Sequence, residues 1–382
     1  MLKALIIGGG IGGLSTAIAL NRRGIATMIF ERANEIGEVG AGISLWANAI
    51  KAIRELGLGD KLSQMSRSQM SGGLRSWRGG ILTGALPSNT ELTFDGPLVI
   101  VVHRAELHAA LLQSLNNDSI RLGYECTEFE QTSEGVTARF ANGSEERGDF
   151  LIGADGINSV VRAQLFGKSK PRYSGYTAWR AVVGFDHRKL PYTEASETWG
   201  CGARFGLVPM SGDRLYWFAT KNAPEGERDA ASGRKQELLD LFHGWHEPVE
   251  SVIEATEENA ILRNDIYDRE PITSWTKGRV TLLGDAAHPM TPNLGQGGCQ
   301  AIEDAVAIAR TLAKNQSVES SLREYELCRV KRANKIVKQS WNIGRIAQWE
   351  NPLACAARNA LLSMIPASTQ LKRLEWIIGG KA

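Results

Sequence analysis

Three places in this chain join an apolar run to residues able to hold a polar ligand. Val280-Thr281-Leu282-Leu283 leads into Gly284-Asp285, a turn stiffened by Pro289 and Pro292, and then Gly295, Gly297 and Gly298 before a helical pattern starting at Cys299. A carboxylate at a strand tip accepts hydroxyl hydrogens. Glycines let backbone N–H groups approach a ligand, and a helix start favours electron-rich atoms. Taken alone, the stretch reads equally well as a tight strand-to-helix turn that uses glycine for its dihedral freedom. The other two places favour the ligand reading. Lys3 to Ile7 runs into Gly8-Gly9-Gly10-Ile11-Gly12-Gly13, which matches G-x-G-x-x-G at Gly8, Gly10 and Gly13. Phe150 to Gly153 ends at Asp155-Gly156 and is followed by a helix.

These residues need elements to position them. After Gly13 a helix runs to Gly24, and a second strand, Ala26 to Phe30, ends on Glu31, 23 positions beyond Gly8. That is where a dinucleotide fold places the acid that holds a ribose. The three strand ends are expected on one edge of one parallel sheet. Glycines recur from Gly37 to Ser44, with a helix predicted from Trp46 to Leu56 and another from Arg104 to Leu115. Strands are predicted at Ser119 to Cys126 and Val136 to Phe140. The pattern turns to short β pieces at Gln69 to Pro97, and again from Pro171 to Trp275, with alternation in Tyr176–Val183, Glu197–Val208 and Arg214–Thr220. A long basic helix, Leu322 to Gln348, carries Lys331, Arg332, Lys335, Lys338 and Arg345; its aromatics, with Trp349 just beyond, are expected to pack inward, and one more helix follows in the tail.

Composition excludes several function classes. A net charge of +2 gives no electrostatic footprint for nucleic acid. The five cysteines are odd in number and scattered, which argues against a disulfide framework or a zinc site, and His243 with His246 lacks a third ligand, so no metal is expected. Gly167-Lys168-Ser169 is not a phosphate loop, because Arg162 stands where its first glycine should be. No apolar run reaches the ~18 residues of a membrane span. Glycines break the apolar start of the chain, which is expected to be cytoplasmic and unprocessed. Weak peripheral membrane association through the basic helix and a monomeric or homodimeric state remain open.

Together, Gly8-x-Gly10-x-x-Gly13 with Glu31, Asp155-Gly156, and Gly284-Asp285 with Pro292 and the later glycines resemble the group A flavoprotein monooxygenases, relatives of para-hydroxybenzoate hydroxylase, over about residues 3 to 350. The resemblance implies an α/β fold: a Rossmann-like FAD-binding domain (residues 1–70, 98–170 and 276–345), an inserted β-rich substrate domain (71–97 and 171–275) and a C-terminal helical tail (346–382). It implies non-covalent FAD, NADPH or NADH as reductant, and O2. The family's FAD contacts carry over to Gly12, Glu31, Arg32, Ser44, Arg104, Cys126 through its backbone, Asp285, and Gly295, Gln296, Gly297, Gly298 and Cys299, while Asp155-Gly156 matches a segment linked to both FAD and NAD(P)H. The expected activity is hydroxylation of an aromatic or N-heteroaromatic small molecule through a flavin C4a-hydroperoxide.

Two subgroups look similar. The layout around Tyr176, Arg204 and Tyr216 resembles the FAD-dependent urate hydroxylases, in which Arg204 and Tyr216 match positions acting on substrate. The acid expected in the following loop is Asn293 here. The segments HRAELHAALLQSL and QSWNIGRIAQWENP are more similar to the alkylquinolone 3-monooxygenases, as is Thr291-Pro292-Asn293. The expected substrate is thus a 2-alkyl-4-quinolone, with urate-, salicylate- or tetracycline-like molecules as alternatives, and Arg204, Tyr216 and Asn293 as substrate residues. A flavin dehydrogenase without oxygen transfer and a flavin-binding scaffold are the competing readings.

Overall fold

The computed structural model describes residues 1–35, 37, 41–65, 67–69, 71–84, 96–186, 190, 195–314 and 316–379. The expected glycine loop at 37–44 and the β excursion at 69–97 therefore lie partly outside the described residues.

The chain has the α/β architecture that its apolar runs imply. A six-stranded sheet has the order Thr276–Lys277, Val280–Leu282, Phe150–Gly153, Lys3–Ile7, Ala26–Glu31, Ile120–Leu122. All its pairings are parallel except the first. Strands buried on both faces must be apolar throughout, and Ala4–Ile7 and Phe150–Ile152 are. The registers Ile7↔Gly153 and Gly153↔Leu282 bring the three functional strand ends side by side, as expected. The helices Ile11–Asn21 and Gly297–Leu312 pack on each other and on this sheet.

A seven-stranded sheet has the order Leu262–Asp268, Arg172–Gly184, Arg214–Asn222, Ala203–Pro209, Ala195–Trp199, Ser71–Ser76, Ile81–Thr83. Strand alternation gives it two distinct faces. One face carries Trp179, Ala181, Phe205, Leu207, Leu215 and Trp217, and is buried with Leu238 and Phe242 of one helical segment and Val252 and Ile253 of the next. Each large side chain fully buried there contributes roughly 1.5–3 kcal/mol. The other face carries Tyr176, Arg180 and Val182 opposite Phe218 and Tyr216, then Arg204, Gly206 and Val208, then Glu197 and Trp199. That face looks toward Gly42–Trp46 and Val99–His103, because Val101, Val182, Val208, Met210 and Tyr216 form one apolar cluster.

Four expectations need correction. Glu197–Val208 is not one strand, because the turn Gly200-Cys201-Gly202, with Gly202 at φ +70°, reverses the chain. Ser119–Cys126 divides between two sheets at Gly123, which has φ +72°. The tail holds two helices, Pro352–Ser363 and Ala367–Ile378, separated by Pro366. Trp341 packs inward beneath the Arg172 guanidinium, 3.5 Å from its ring, but Trp349 stays 41% exposed because the helix Val318–Ala347 ends before it. Among the described residues, no helix is long and apolar enough to cross a membrane.

Candidate functional site

The glycines of the first loop have different causes. A Cβ on Gly8, which has φ +109°, would lie 2.3 Å from Ala154 O, and one on Gly13 would lie 2.0 Å from Gly8 O. Both are glycine so that strand and helix can meet. A Cβ on Gly12 would crowd Leu283 at 2.9 Å. Gly10 is the exception, with nothing within 4 Å, and it opens a helix that no side chain caps. The first N–H groups of that helix thus have no side-chain cap and lie beside open space among the described residues, which suits a phosphate. Glu31 closes one side of the loop: its Oε2 accepts from Gly9 N at 2.7 Å and its Oε1 from Ala33 N at 2.9 Å. Buried His108 closes the other, with its Nε2 2.8 Å from Gly9 O. Arg32 stands exposed beside Glu31.

The two aspartates behave differently. Asp155 Oδ2 accepts from Val160 N and Val161 N, at 2.8 and 3.2 Å, so that oxygen caps the helix Val160–Phe166. Its Oδ1 is buried with no partner among the described residues. Burial pushes this carboxyl above its ordinary range, and hydrogen bonds from Ser159 and the helix N–H groups pull it back. Cys126 lies close by: burial pushes its thiol up to about 12, and the thiol donates to Glu128 O, which leaves its backbone for any ligand. Asp285 is exposed at the strand end, with buried residues on either side of it in the chain. Desolvation raises its carboxyl, and His288 and Arg104 act in the opposite direction. A Cβ on Gly297 would be 4.0 Å from Asp285 Oδ1, so the acid sits at the start of the helix Gly297–Leu312.

The Asp285 turn is held from beneath. Arg162 Nη1 donates to Ala286 O and Ala287 O, at 3.1 and 3.0 Å. Asp304 accepts from Gly284 N at 3.1 Å and from Arg329 Nε at 2.7 Å, and its Oδ2 is 2.6 Å from His288 Nε2. Burial alone would raise the Asp304 carboxyl, but His288 and Arg329 outweigh it and hold it below its ordinary value.

The loop 291–299 uses most of its side chains internally. Gln296 Oε1 accepts from Asn48 and Gln300, and the Cys299 thiol, pushed by burial to about 12, lies between Ser44 O, Gly295 O and Trp46 N. Toward a cofactor, then, Cys299 offers backbone, whereas Gln296 also keeps a buried Nε2 with no partner among the described residues. Pro292 opens a short 3-10 turn closed by Gly295 at φ +60°. No side chain caps the helix beginning at Gly297.

Above this loop, Arg204 is 3% exposed and bridges the sheet to it. Its Nη2 donates to Asn293 Oδ1 at 2.9 Å, its Nη1 to Glu197 Oε1 at 3.1 Å, and its Nε to Gln348 Oε1 at 2.7 Å. Asn293 Oδ1 also accepts from Tyr176 Oη at 3.2 Å, while its Nδ2 donates to Thr291 Oγ1 and Ser340 O. Gly344 admits this amide to the long helix, since a Cβ there would lie 2.4 Å from Asn293 Nδ2. Tyr216 is elsewhere on the face: its ring crosses Gly42, where a Cβ would lie 2.4 Å from Cγ. Burial raises its phenol to about 12, and its hydroxyl has no hydrogen-bond partner among the described residues. The structure thus brings Arg204 and Asn293 together and sets Tyr216 apart, at the apolar end.

Sequence reasoning missed His108, Arg162, Glu197, Gln348 and the Asp304–Arg329 pair. One signal was available for the last: Glu303 and Asp304 interrupt an otherwise apolar helix, and buried acids need partners.

FAD fits these residues. The open space at Gly10, the uncapped helix starts, the unpartnered Asp155 oxygen and the exposed Asp285 supply donors, acceptors and room along one line of strand ends. Residues 1–340 match the FAD binding domain family. The chain is 46% identical over 365 residues to an aurachin C monooxygenase/isomerase of Stigmatella aurantiaca, spanning 95% of this chain and 94% of that one. It is 37% identical to an FAD-dependent urate hydroxylase of Klebsiella pneumoniae, over 88% of each. Among solved structures, Klebsiella pneumoniae HpxO complexed with FAD and uric acid aligns with a TM-score of 0.92 at 33% identity, over 99% of this chain and 96% of that one. A salicylate hydroxylase substrate complex aligns with a TM-score of 0.81 at 25% identity, over 100% and 96%.

Proposed function

This chain belongs to the FAD binding domain family, as a group A flavin monooxygenase, and on that premise we propose that it hydroxylates a neutral N-heteroaromatic ring bearing an apolar substituent, a 2-alkyl-4-quinolone. It is an FAD-dependent monooxygenase acting on an aromatic or heteroaromatic small molecule. The proposal extends to NADH or NADPH as reductant, O2 as oxygen source, and residues 71–97 and 171–275 as the substrate domain over the flavin segments 1–70, 98–170 and 276–345, with 346–382 as a tail.

The observation that carries the substrate class is the charge balance around Arg204. Glu197 already pairs with this guanidinium, and its partner on the loop is the neutral amide of Asn293 rather than an acid. With no net charge in the cluster, a substrate anion gains little there, whereas a ring carbonyl can accept a remaining N–H of Arg204. At the other end of the face, Val101, Val182, Val208, Met210 and the Tyr216 ring offer an apolar wall for a chain. The resemblance to the aurachin C monooxygenase/isomerase supports the same reading.

When bound and reduced, FAD supplies activation of dioxygen for electrophilic transfer to a ring carbon. The protein's part is positioning and exclusion of water. Arg204 holds and polarises the substrate oxygen, Asn293 and Tyr176 fix Arg204, and the Tyr216 ring bounds the apolar chain. Glu31, Asp285 and the backbone at Gly10 to Gly13 and Gly295 to Cys299 hold the cofactor, with Arg104, Arg32, Ser44 and Cys126 at its margins. The test is NAD(P)H oxidation stimulated by 2-alkyl-4-quinolones, urate and salicylate, with product mass under labelled O2. Quinolones should stimulate and gain one labelled oxygen. Stimulation by urate alone would overturn the substrate class, and stimulation without label incorporation would favour a dehydrogenase.

A further inference from the structure

Two cysteines outside the flavin and substrate sites meet across a tertiary contact. The turn Gly200-Cys201-Gly202 is clasped by the C-terminal part of the chain: Gly202 N donates to Trp349 O at 2.7 Å, and Arg358 Nη2 donates to Gly200 O at 2.9 Å. Cys355, in the first turn of the helix Pro352–Ser363, donates its thiol hydrogen to the same Trp349 carbonyl at 3.1 Å. One oxygen therefore accepts both from the turn that carries Cys201 and from Cys355 itself, which brings the two cysteines into one contact. Cys201 is exposed and Cys355 is buried. The Arg358 guanidinium stands beside both.

We propose that Cys201 and Cys355 are a modification site, a thiol pair that hydrogen peroxide converts reversibly to a disulfide. The exposed member reacts first. The Cys201 sulfur, as thiolate, attacks one peroxide oxygen; the O–O bond breaks and the departing hydroxide takes up a proton as water, leaving Cys201 as a sulfenic acid. The Cys355 sulfur then attacks the Cys201 sulfur. The S–S bond forms, the S–O bond breaks, and hydroxide leaves with the Cys355 proton as a second water. Two thiols and one peroxide thus give one disulfide and two waters. Burial holds Cys355 mainly in its thiol form, with a pKa of about 11, so it waits for the sulfenic acid rather than meeting peroxide itself.

The remaining cysteines do not offer this arrangement. Cys126 and Cys299 are buried and hydrogen-bonded within their own surroundings, and Cys328 is exposed on the opposite part of the long helix. A Cys201–Cys355 bond would fasten the helix Pro352–Ser363 to the hairpin that presents Arg204. It would also hold in place the contact from Gln348 Nε2 to Gly202 O.

The test uses purified flavin-bound protein with graded hydrogen peroxide, followed by alkylation, peptide mass analysis and native thiol titration. The expected result is a Cys201–Cys355 cross-linked peptide that dithiothreitol reverses, with rapidly titrated thiols falling from two, Cys201 and Cys328, to Cys328 alone. Cys355→Ser should instead accumulate a dimedone-reactive sulfenic acid at Cys201, and Cys201→Ser should leave Cys355 unoxidised. The two serine variants also show that the product requires both sulfurs and not merely an altered fold. Sulfinic acid at Cys201 in the wild type, formed as fast as in Cys355→Ser and without cross-link, would overturn the proposal. So would oxidation of Cys328 with Cys201 untouched.

Discussion

Replacing Arg204 by alanine separates what this residue does for the fold from what it does for the reaction. The side chain is 3% exposed, and its loss leaves three acceptors to re-satisfy. Asn293 Oδ1 keeps Tyr176 Oη at 3.2 Å, and Gln348 Oε1 keeps Thr220 Oγ1 at 3.0 Å. Among the described residues, Glu197 keeps the Trp199 indole alone, at 2.9 Å, and loses the Arg204 cation. Removing one partner of a buried pair costs about 3–5 kcal/mol. The Glu197 side chain is 23% exposed, so partial hydration reduces the expected loss to about 2–4 kcal/mol. Denaturant unfolding of the FAD-saturated protein measures it. Glu197→Gln in the Arg204→Ala background should recover about 1–2 kcal/mol, because it removes the stranded charge. Turnover should not recover with it. If Arg204 polarises the substrate, kcat/KM falls about 100-fold, about 2.7 kcal/mol, in both variants. A stability loss below about 1 kcal/mol with no rescue would refute the burial argument. Restored turnover in the double variant would refute the substrate role.

The glycine loop offers a paired contrast. Gly10→Ala meets nothing within 4 Å among the described residues and should fold normally while losing flavin occupancy, read from absorbance, whereas Gly13→Ala drives a Cβ to 2.0 Å from Gly8 O and should fail at folding itself. Asp304 gives a pH signature. Its carboxyl is depressed in the fold, so its stabilisation is complete above the unfolded value of about 4 and is lost as pH falls below that through the lower folded value. The stability difference between wild type and Asp304→Asn should therefore shrink below about pH 4, and a constant difference from pH 3 to 7 would count against the His288–Asp304–Arg329 assembly. Tyr216→Phe keeps the ring over Gly42 and removes a hydroxyl that has no hydrogen-bond partner among the described residues; it should leave flavin binding and melting temperature unchanged, and a turnover loss beyond about tenfold would show that the hydroxyl meets substrate.

The cofactor end was legible in the sequence because its signals are local. Gly8 to Gly13, Glu31, Asp155-Gly156 and Gly284-Asp285 each sit within a few residues of the strand that presents them, and parallel pairing then aligns the strands. The substrate end was only half legible. Arg204 and Asn293 stood out as types, but Glu197, Gln348 and Ser340 complete their hydrogen bonds from strands and helices up to 144 positions away. Periodicity carries no information about such partners. The turn at Cys201 was missed because Trp199 to Phe205 continues an apolar pattern, and only the positive φ of Gly202 shows where the chain reverses. Trp349 departs from the inward packing expected of the long helix's aromatics because it follows the helix end, whereas Trp341 precedes it.

The strand order of the six-stranded sheet also bears on synthesis. Lys3–Ile7, made before the other strands of that sheet, sits in its interior, and one neighbour, Phe150–Gly153, emerges far later. The next position outward belongs to Val280–Leu282, made after all the strands of the seven-stranded sheet, the last of which ends at Asp268. Pairings of such sequence separation form slowly. A nascent chain halted before residue 280 would therefore show a finished roof above a sheet with a bare edge at Leu151–Gly153, open to other chains. Flavin capture is accordingly a late event in the life of the polypeptide, and a fragment that ends before Asp285 should aggregate through that edge rather than bind cofactor.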